Sequence, residues 1–207
     1  MKKTIVGILL LAVLSAGGWS AWDRAKSSEE VARALTHIKM TSALISQQVD
    51  LEKTGSGITF GEYFNKSSEA VDRIDKGVLE LRSGEWPRRS DAKDAAIQFM
   101  TATSDLIRLS SMKMRTQMQL NTAEERTEEA KRERENSDNE YTVKWAAERE
   151  RKARDEQIEL LQKILDGAKS TKEKVDALAT SDQAVKAIFG PSEGIAPELA
   201  AKLKPKS

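Results

Sequence analysis

The chain of 207 residues is 39% hydrophobic, 5% aromatic and 32% charged, a profile that favours long amphipathic helices over a sheet-rich fold of aromatic and β-branched residues. Its 34 basic and 33 acidic side chains nearly cancel, so no large field of one sign exists to attract nucleic acid, which we do not expect as a partner. Cysteine is absent, which excludes disulfides and thiolate metal sites and leaves the redox compartment open.

The N-terminal segment is uncharged and mostly apolar between Lys3 and the first acidic residue, Asp23. As a helix, residues 4–22 would span roughly 28 Å, close to the thickness of a bilayer core. Basic residues before an apolar run favour a cytoplasmic N-terminus and export of the rest. We therefore predict that residues 1–22 are the single-pass anchor of a bacterial inner-membrane protein whose remaining chain faces the periplasm.

Signal-peptide cleavage is the alternative for this segment. Its apolar core is short, and Ala16-Gly17-Gly18 is a small-residue cleavage site. Trp19 and Trp22, however, lie where the interfacial aromatic belt of an uncleaved anchor would lie. The anchor is the favoured interpretation, and cleavage would instead give a soluble periplasmic protein.

Two heptad patterns follow the N-terminal segment. Helix 1 is predicted to begin at Ser27 or Ser28 and to stop at the glycine-rich residues 54–57, and helix 2 to run from Phe60 to Ser83. Apolar side chains recur in both at alternating spacings of three and four residues, which indicates helices that pack along one seam. The seam residues are Val31, Leu35, Ile38, Ser42, Ile45 and Val49 in helix 1, and Phe60, Phe64, Ser67, Val71, Ile74, Val78 and Leu81 in helix 2.

A long charged stretch dominates the second half of the chain. In residues 122–157, 21 of 36 side chains are charged, so this stretch is not expected to bury a normal helical face. The polar residues 136–139 near its middle predict the turn of a hairpin, with helix 3 at about 91–135 and helix 4 at about 140–180. Because these helices outrun helix 1, the charged part should project on the order of 20 Å beyond the bundle.

Apolar spacing resumes in helix 4 after the charged stretch. It predicts a returning seam that packs inward, at Ile158, Leu161, Leu165, Ala168, Val175 and Leu178. A short helix from Asp182 to Phe189 and a flexible end are expected within residues 181–207. The predicted fold is thus all-α, an elongated antiparallel four-helix bundle over residues 23–180 with a long protruding hairpin of helices 3 and 4, after an N-terminal membrane segment.

Tyr141 and Trp145 are the residues that most favour a binding role for the hairpin. They lie at helical spacing among charged side chains, and exposed aromatic residues often carry protein interfaces. With Glu148 and Arg149 they form the predicted partner-binding site. The simpler interpretation is a solvated helical spacer, stabilised by ion pairs four residues apart. Such pairs are Glu128 with Arg132 and Glu148 with Lys152.

No set of residues predicts a cofactor or a metal. His37 is the only histidine, which excludes the paired Glu-x-x-His motifs of di-iron bundles and leaves haem ligation with little support. Met114 and Met118 share a helix face and could bind Cu(I), but methionine is a common core filler. With one histidine, no cysteine and no nucleophile-elbow or phosphate-loop motif, we expect no enzymatic activity.

The sequence therefore predicts a non-enzymatic envelope protein that works as a periplasm-facing helical scaffold or interaction module. Its expected partner is another envelope protein, and heptad seams also allow a coiled-coil homo-oligomer. Two alternatives stay open: a sensory or small-molecule-binding bundle that acts with a membrane partner, and a phage-type lysis protein that links two membranes.

Overall fold

The computed structural model describes residues 2–52 and 57–197, with side chains from residue 26 onward. Within this part the chain is all-helical and contains no strand, which confirms the predicted fold class. Four helices follow one another along the chain: α1 Lys2–Leu51, α2 Phe60–Ser83, α3 Ser90–Asn136 and α4 Glu140–Phe189.

Helix α1 is one continuous helix of 50 residues, rather than a bundle helix that begins at Ser27 or Ser28. No turn separates residues 4–22 from the part of α1 that packs in the bundle. The side chains of the predicted anchor, residues 1–22, lie outside the described ones. Within the part of the chain that the structure describes, no helix has the length and apolar character needed to cross a bilayer.

Helix α2 has the predicted bounds because both of its ends carry local signals. At its start the Thr59 hydroxyl accepts a hydrogen bond from the Glu62 backbone N–H at 3.2 Å, and the Glu62 carboxylate accepts one from the Thr59 N–H at 2.8 Å. This capping box satisfies two of the N–H groups that a helix start leaves free. At the other end the Gly84 N–H donates to the Glu80 carbonyl.

The main apolar core lies where α1, α2, α3 and the last third of α4 meet. Each fully buried large side chain contributes roughly 1.5–3 kcal/mol relative to an exposed one. The α2 seam differs from the prediction at one point, because Tyr63 is buried and Phe60 is half exposed. The largest fully buried apolar side chains are Ile38, Ile45, Ile74, Leu81, Phe99, Met100, Ile107, Leu178 and Val185.

The C-terminal part of the described chain is packed rather than loose. The short helix predicted up to Phe189 is the last part of α4 itself, after which Gly190 (φ +113°) reverses the chain direction. The Asp182 carboxylate then accepts hydrogen bonds from the Ile195 N–H at 2.7 Å and from the Lys186 ammonium at 2.6 Å. Residues 190–197 are therefore held against α4, while residues 198–207 lie outside the described part.

Helices α3 and α4 pack closely and form the predicted hairpin. Its free end extends past the other helices. Phe64 of α2 lines one surface groove with α3 residues from Arg115 to Arg126, and the Arg115 guanidinium lies 5.3 Å from the Phe64 ring centroid. From Arg126 to Asn136, α3 rises by roughly 15 Å.

The charged part of the hairpin does bury a face, contrary to the sequence-based expectation. Apart from Glu150, the buried positions are small side chains at heptad spacing, which allow two helices to approach closely. We call this set the alanine seam: Ala123, Thr127 and Ala130 on α3, and Ala146 and Ala153 on α4.

The predicted returning seam of α4 is wrong in its first half. Ile158, Leu161 and Leu165 are 66%, 50% and 59% exposed, whereas Leu160 and Ile164 face α3. The residues of α4 that contact α3 thus lie one position before the residues of the predicted seam. Further along, Leu178 is buried in the main core as predicted, because there α1 and α3 both pack near α4.

Candidate interaction surfaces of the α3–α4 hairpin

The turn at the end of the hairpin fixes the start of α4. The Asn139 side-chain oxygen accepts hydrogen bonds from the backbone N–H groups of Tyr141 at 2.9 Å and Thr142 at 3.4 Å. Asparagine is among the best N-cap residues because its side chain satisfies N–H groups that the helix leaves free. The cap thus holds the backbone of the first turn of α4, which carries Tyr141.

The four residues that the sequence predicts as a partner-binding site lie on the first three turns of α4. We call Tyr141, Trp145, Glu148 and Arg149 the tip surface. Tyr141 is 86% and Trp145 56% exposed, the largest aromatic surface among the described residues. Their spacing of four residues places both on the same side of α4.

Two contacts hold the indole of Trp145 in place. The Arg149 guanidinium lies 3.8 Å from the ring centroid, close enough for a cation–π interaction worth about 0.5–1 kcal/mol at an exposed site. Arg149 also forms an ion pair with Glu133 of α3, so the indole is tied to both helices of the hairpin. Sequence spacing alone does not reveal this second link.

Glu148 adds a fixed negative charge to the tip surface. Its carboxylate pairs with the Lys152 ammonium at 2.9 Å, as the four-residue spacing predicts. The hydrogen bond from Lys152 lowers the pKa of Glu148, so the carboxylate stays ionised at neutral pH. The other predicted pair, Glu128 with Arg132, does not occur among the ion pairs of the described residues.

Glu150 is a residue of the hairpin that the sequence does not single out. Its side chain is buried in the alanine seam, between the guanidinium of Arg134 on α3 at 2.8 Å and that of Arg154 one turn along α4. A buried carboxylate of this kind must be paired, since an uncompensated charge would cost several kcal/mol. The sequence feature that could have identified Glu150 as buried is its position between Ala146 and Ala153 at heptad spacing.

Two further features lie nearer the bundle. The first is the exposed row of Ile158, Leu161 and Leu165 on α4, which we call the apolar stripe. The second is a surface groove along α3 lined almost entirely by carboxylates, which we call the acidic ridge. It consists of Glu124, Glu125, Glu128 and Glu129, with Asn121 and Arg132 at its ends.

A cavity of about 190 Å³ lies between α1, α3 and α4 near the C-terminal end of α1. Its floor is aliphatic, and its rim carries the Glu52 carboxylate, which accepts hydrogen bonds from the Tyr63 hydroxyl at 3.1 Å and from the Ser110 hydroxyl. Burial is the main cause that raises the pKa of Tyr63, so its hydroxyl stays protonated and can donate. The cavity is smaller than the roughly 300 Å³ of the smallest drug-sized ligand sites.

His37 has a packing environment. Its imidazole packs against Gly77 of α2, so closely that a Cβ added to Gly77 would lie 2.8 Å from Nδ1. Met100 of α3 packs against the same glycine. The Nε2 atom is 3.6 Å from the Glu80 carboxylate. Among the side chains that the structure describes, those of residues 26–52 and 57–197, no three or more His, Asp or Glu are grouped so that they could hold a metal ion.

Three features of the hairpin could contact another molecule: the tip surface, the apolar stripe and the acidic ridge. The alanine seam is buried between α3 and α4. All of them belong to helices that are long, rigid and largely solvent-exposed. Comparisons of this chain with protein-family models, with curated proteins and with solved structures found no match.

Proposed function

We propose that this protein is a non-enzymatic interaction module of the bacterial envelope that docks another envelope protein through the tip surface. The observation that carries the proposal is the exposure of Tyr141 and Trp145 at the free end of the α3–α4 hairpin. Aromatic side chains with few rotatable bonds bring large contact area at low entropic cost, which is why they dominate interface energies.

The construction of the hairpin supports this role. The alanine seam and the buried Glu150 ion pairs join α3 to α4 over most of the projecting length. A surface that is already ordered loses less conformational entropy when a partner binds, so more of the contact energy becomes affinity. A hairpin that served only as a flexible spacer would not need the alanine seam or the Glu150 ion pairs.

The proposal includes an inner-membrane anchor at residues 1–22, with the bundle in the periplasm. The continuity of α1 supports a stiff connection between that segment and the bundle, because a helix without a turn transmits orientation as well as position. The intact mass of the mature protein tests the anchor. A mass that includes residues 1–18 supports it, whereas a chain that begins near Trp19 would show cleavage instead.

Docking through the tip surface is tested by cross-linking and affinity purification of the full-length chain from envelopes. The Tyr141→Ala, Trp145→Ala double variant is expected to recover its main partner about tenfold less efficiently, while its helical circular dichroism stays unchanged. Leu79→Ala is the matched control, since Leu79 is an equally exposed apolar residue on α2, away from the hairpin. Equal recovery by the double variant and the control would contradict the proposal.

The cavity near Glu52 favours one second candidate, a sensory bundle that binds a small molecule. Aliphatic floor and charged rim together suit a small polar ligand with an apolar body. A thermal-shift screen of the full-length chain tests it, because a ligand that binds only the folded state raises the melting temperature. A shift that disappears in Glu52→Gln would support this candidate, and no shift with any small polar compound would count against it.

A further inference from the structure

The cavity between α1, α3 and α4 carries two opposite charges that do not pair with each other. Glu52, next to the last residue of α1, and Lys113 of α3 both line this cavity of about 190 Å³. Among the side chains of residues 26–52 and 57–197, neither forms an ion pair. Two opposite charges at one cavity, neither neutralised by the other, favour a ligand that itself carries both charges.

Hydrogen bonds hold the Glu52 carboxylate in one orientation. Its Oε1 atom accepts from the Tyr63 hydroxyl at 3.1 Å and also from the Ser110 hydroxyl. Both bonds use the same oxygen, and no donor of another described residue reaches Oε2. A carboxylate oxygen that is already oriented and still has free lone pairs is a good acceptor for an ammonium group, because little ordering remains to be done on binding.

Lys113 supplies the positive charge from α3. Its aliphatic stem lies against α4, since a Cβ added to Gly167 would be 3.6 Å from Lys113 Cγ. Lysine stems commonly lie along apolar surface while the ammonium group stays near water. This ammonium group has three hydrogen-bond donors, so it can bind a carboxylate at the cavity rim.

The interior of the cavity suits a branched aliphatic group. Its lining includes Ile45 of α1 with Leu106 and Ile107 of α3, which are 2%, 8% and 1% exposed. Val175 of α4 completes this aliphatic surface. A dry cavity of about 150 Å³ holds benzene, which has about six heavy atoms, so this slightly larger one fits about eight or nine. That is the size of valine or leucine.

We propose that this cavity binds a small zwitterion, a free α-amino acid with a branched aliphatic side chain such as leucine. Its ammonium group donates to Glu52 Oε2, its carboxylate accepts from the Lys113 ammonium group, and its side chain covers the aliphatic interior. The inference rests on the sensory candidate described above, to which it gives a ligand class. It does not depend on the tip surface.

Isothermal titration calorimetry of the purified full-length chain tests this ligand class. Leucine is compared with 4-methylpentanoate, which lacks the ammonium group, and with 3-methylbutylamine, which lacks the carboxylate. Each analogue is expected to bind at least tenfold more weakly, because it leaves one charge of the protein without a partner. Glycine keeps both charges but covers no apolar surface, so it is also expected to bind at least tenfold more weakly.

Two variants distinguish recognition of the charges from a general effect on the bundle. In Glu52→Gln, leucine and 4-methylpentanoate should bind with similar affinity, because the ammonium group no longer gains an ion pair. In Lys113→Met, leucine and 3-methylbutylamine should become similar for the same reason. A purely structural effect would weaken all the ligands alike. Glu69→Gln is the matched control, since Glu69 is an exposed carboxylate of α2 outside the cavity, and it should change no affinity.

The proposal is overturned if leucine binds no more tightly than either analogue, or if both variants keep the selectivity of the parent chain. Leucine selectivity that survives in both variants would place its site elsewhere on the molecule. Absence of binding by all four compounds would overturn the zwitterion proposal alone. The thermal-shift screen with other small polar compounds then decides separately whether the sensory candidate stands.

Discussion

Helices α3 and α4 contribute to both the bundle and the hairpin, but they pack in opposite ways in the two regions. In the bundle, α3 contributes large buried side chains such as Phe99 and Ile107, and the fold is stabilised by apolar area removed from water. In the charged part of the hairpin, beyond Leu120, the same helix buries only the small side chains Ala123, Thr127 and Ala130. Little area is buried there, and the helices are joined by ion pairs such as Arg134 with Glu150. The bundle is built for stability, and the hairpin for a thin, rigid projection.

The largest expected effect comes from the bundle core. Phe99→Ala removes a fully buried ring and leaves a cavity, so the free energy of unfolding should fall by about 3–5 kcal/mol. Chemical denaturation followed by circular dichroism measures the change. A loss below about 1 kcal/mol would mean that the stability of the bundle does not depend on its large buried apolar side chains.

A smaller and local effect is expected in the hairpin. Ala130→Leu inserts a large side chain into the closely packed alanine seam, which should cost about 1–3 kcal/mol. Hydrogen exchange should become faster in residues 122–157 and stay unchanged in α2, since the hairpin tip can open without the bundle. Faster exchange throughout the chain would instead show that the two regions unfold together.

A matched pair of glycine substitutions compares helix packing at the two places. In Gly77→Ala the new methyl group would lie 2.6 Å from Met100 Cε and 2.8 Å from His37 Nδ1. We therefore expect a net loss of about 1 kcal/mol despite the better helix propensity of alanine. In Gly167→Ala the nearest atom is 3.6 Å away on Lys113, an ordinary contact, so a gain of up to about 1 kcal/mol is expected. Melting temperatures that move in the same direction would contradict this account.

The smallest effect concerns the capping box of α2. Hydrogen bonding to the Thr59 backbone is the main cause that lowers the pKa of Glu62. A lowered pKa in the folded state stabilises the protein at neutral pH, and this contribution is lost as the pH falls through the folded-state pKa. Glu62→Gln should therefore be slightly less stable than the parent chain at pH 7 and equal to it in acid. A stability difference that persists at pH 2 would exclude ionisation of Glu62 as its origin.

Residues close in sequence determined where α2 and α4 begin. The Thr59 and Glu62 pair at the start of α2 and the polar turn before Asn139 act within four residues, so they can be read without knowledge of the fold. The exposure of Tyr141 and Trp145 was also predictable, because few large apolar side chains occur in the charged stretch; their binding role stays a prediction. The alanine seam escaped prediction because a small side chain gives a weak apolar signal, even though its heptad spacing is regular.

The covered side of α4 depends on how the helices pack. The spacing of Ile158, Leu161 and Leu165 predicts a helical stripe, but its burial depends on whether another helix lies alongside. α1 ends at Leu51, which leaves that stripe exposed while Val175, further along the same side of α4, faces α1 across the cavity. The register of the hairpin is likewise nonlocal. A fold about residues 136–139 predicts that Glu124 lies near Arg151, yet its neighbour Ala123 contacts Gln157, because the fit of small side chains between α3 and α4 sets the alignment.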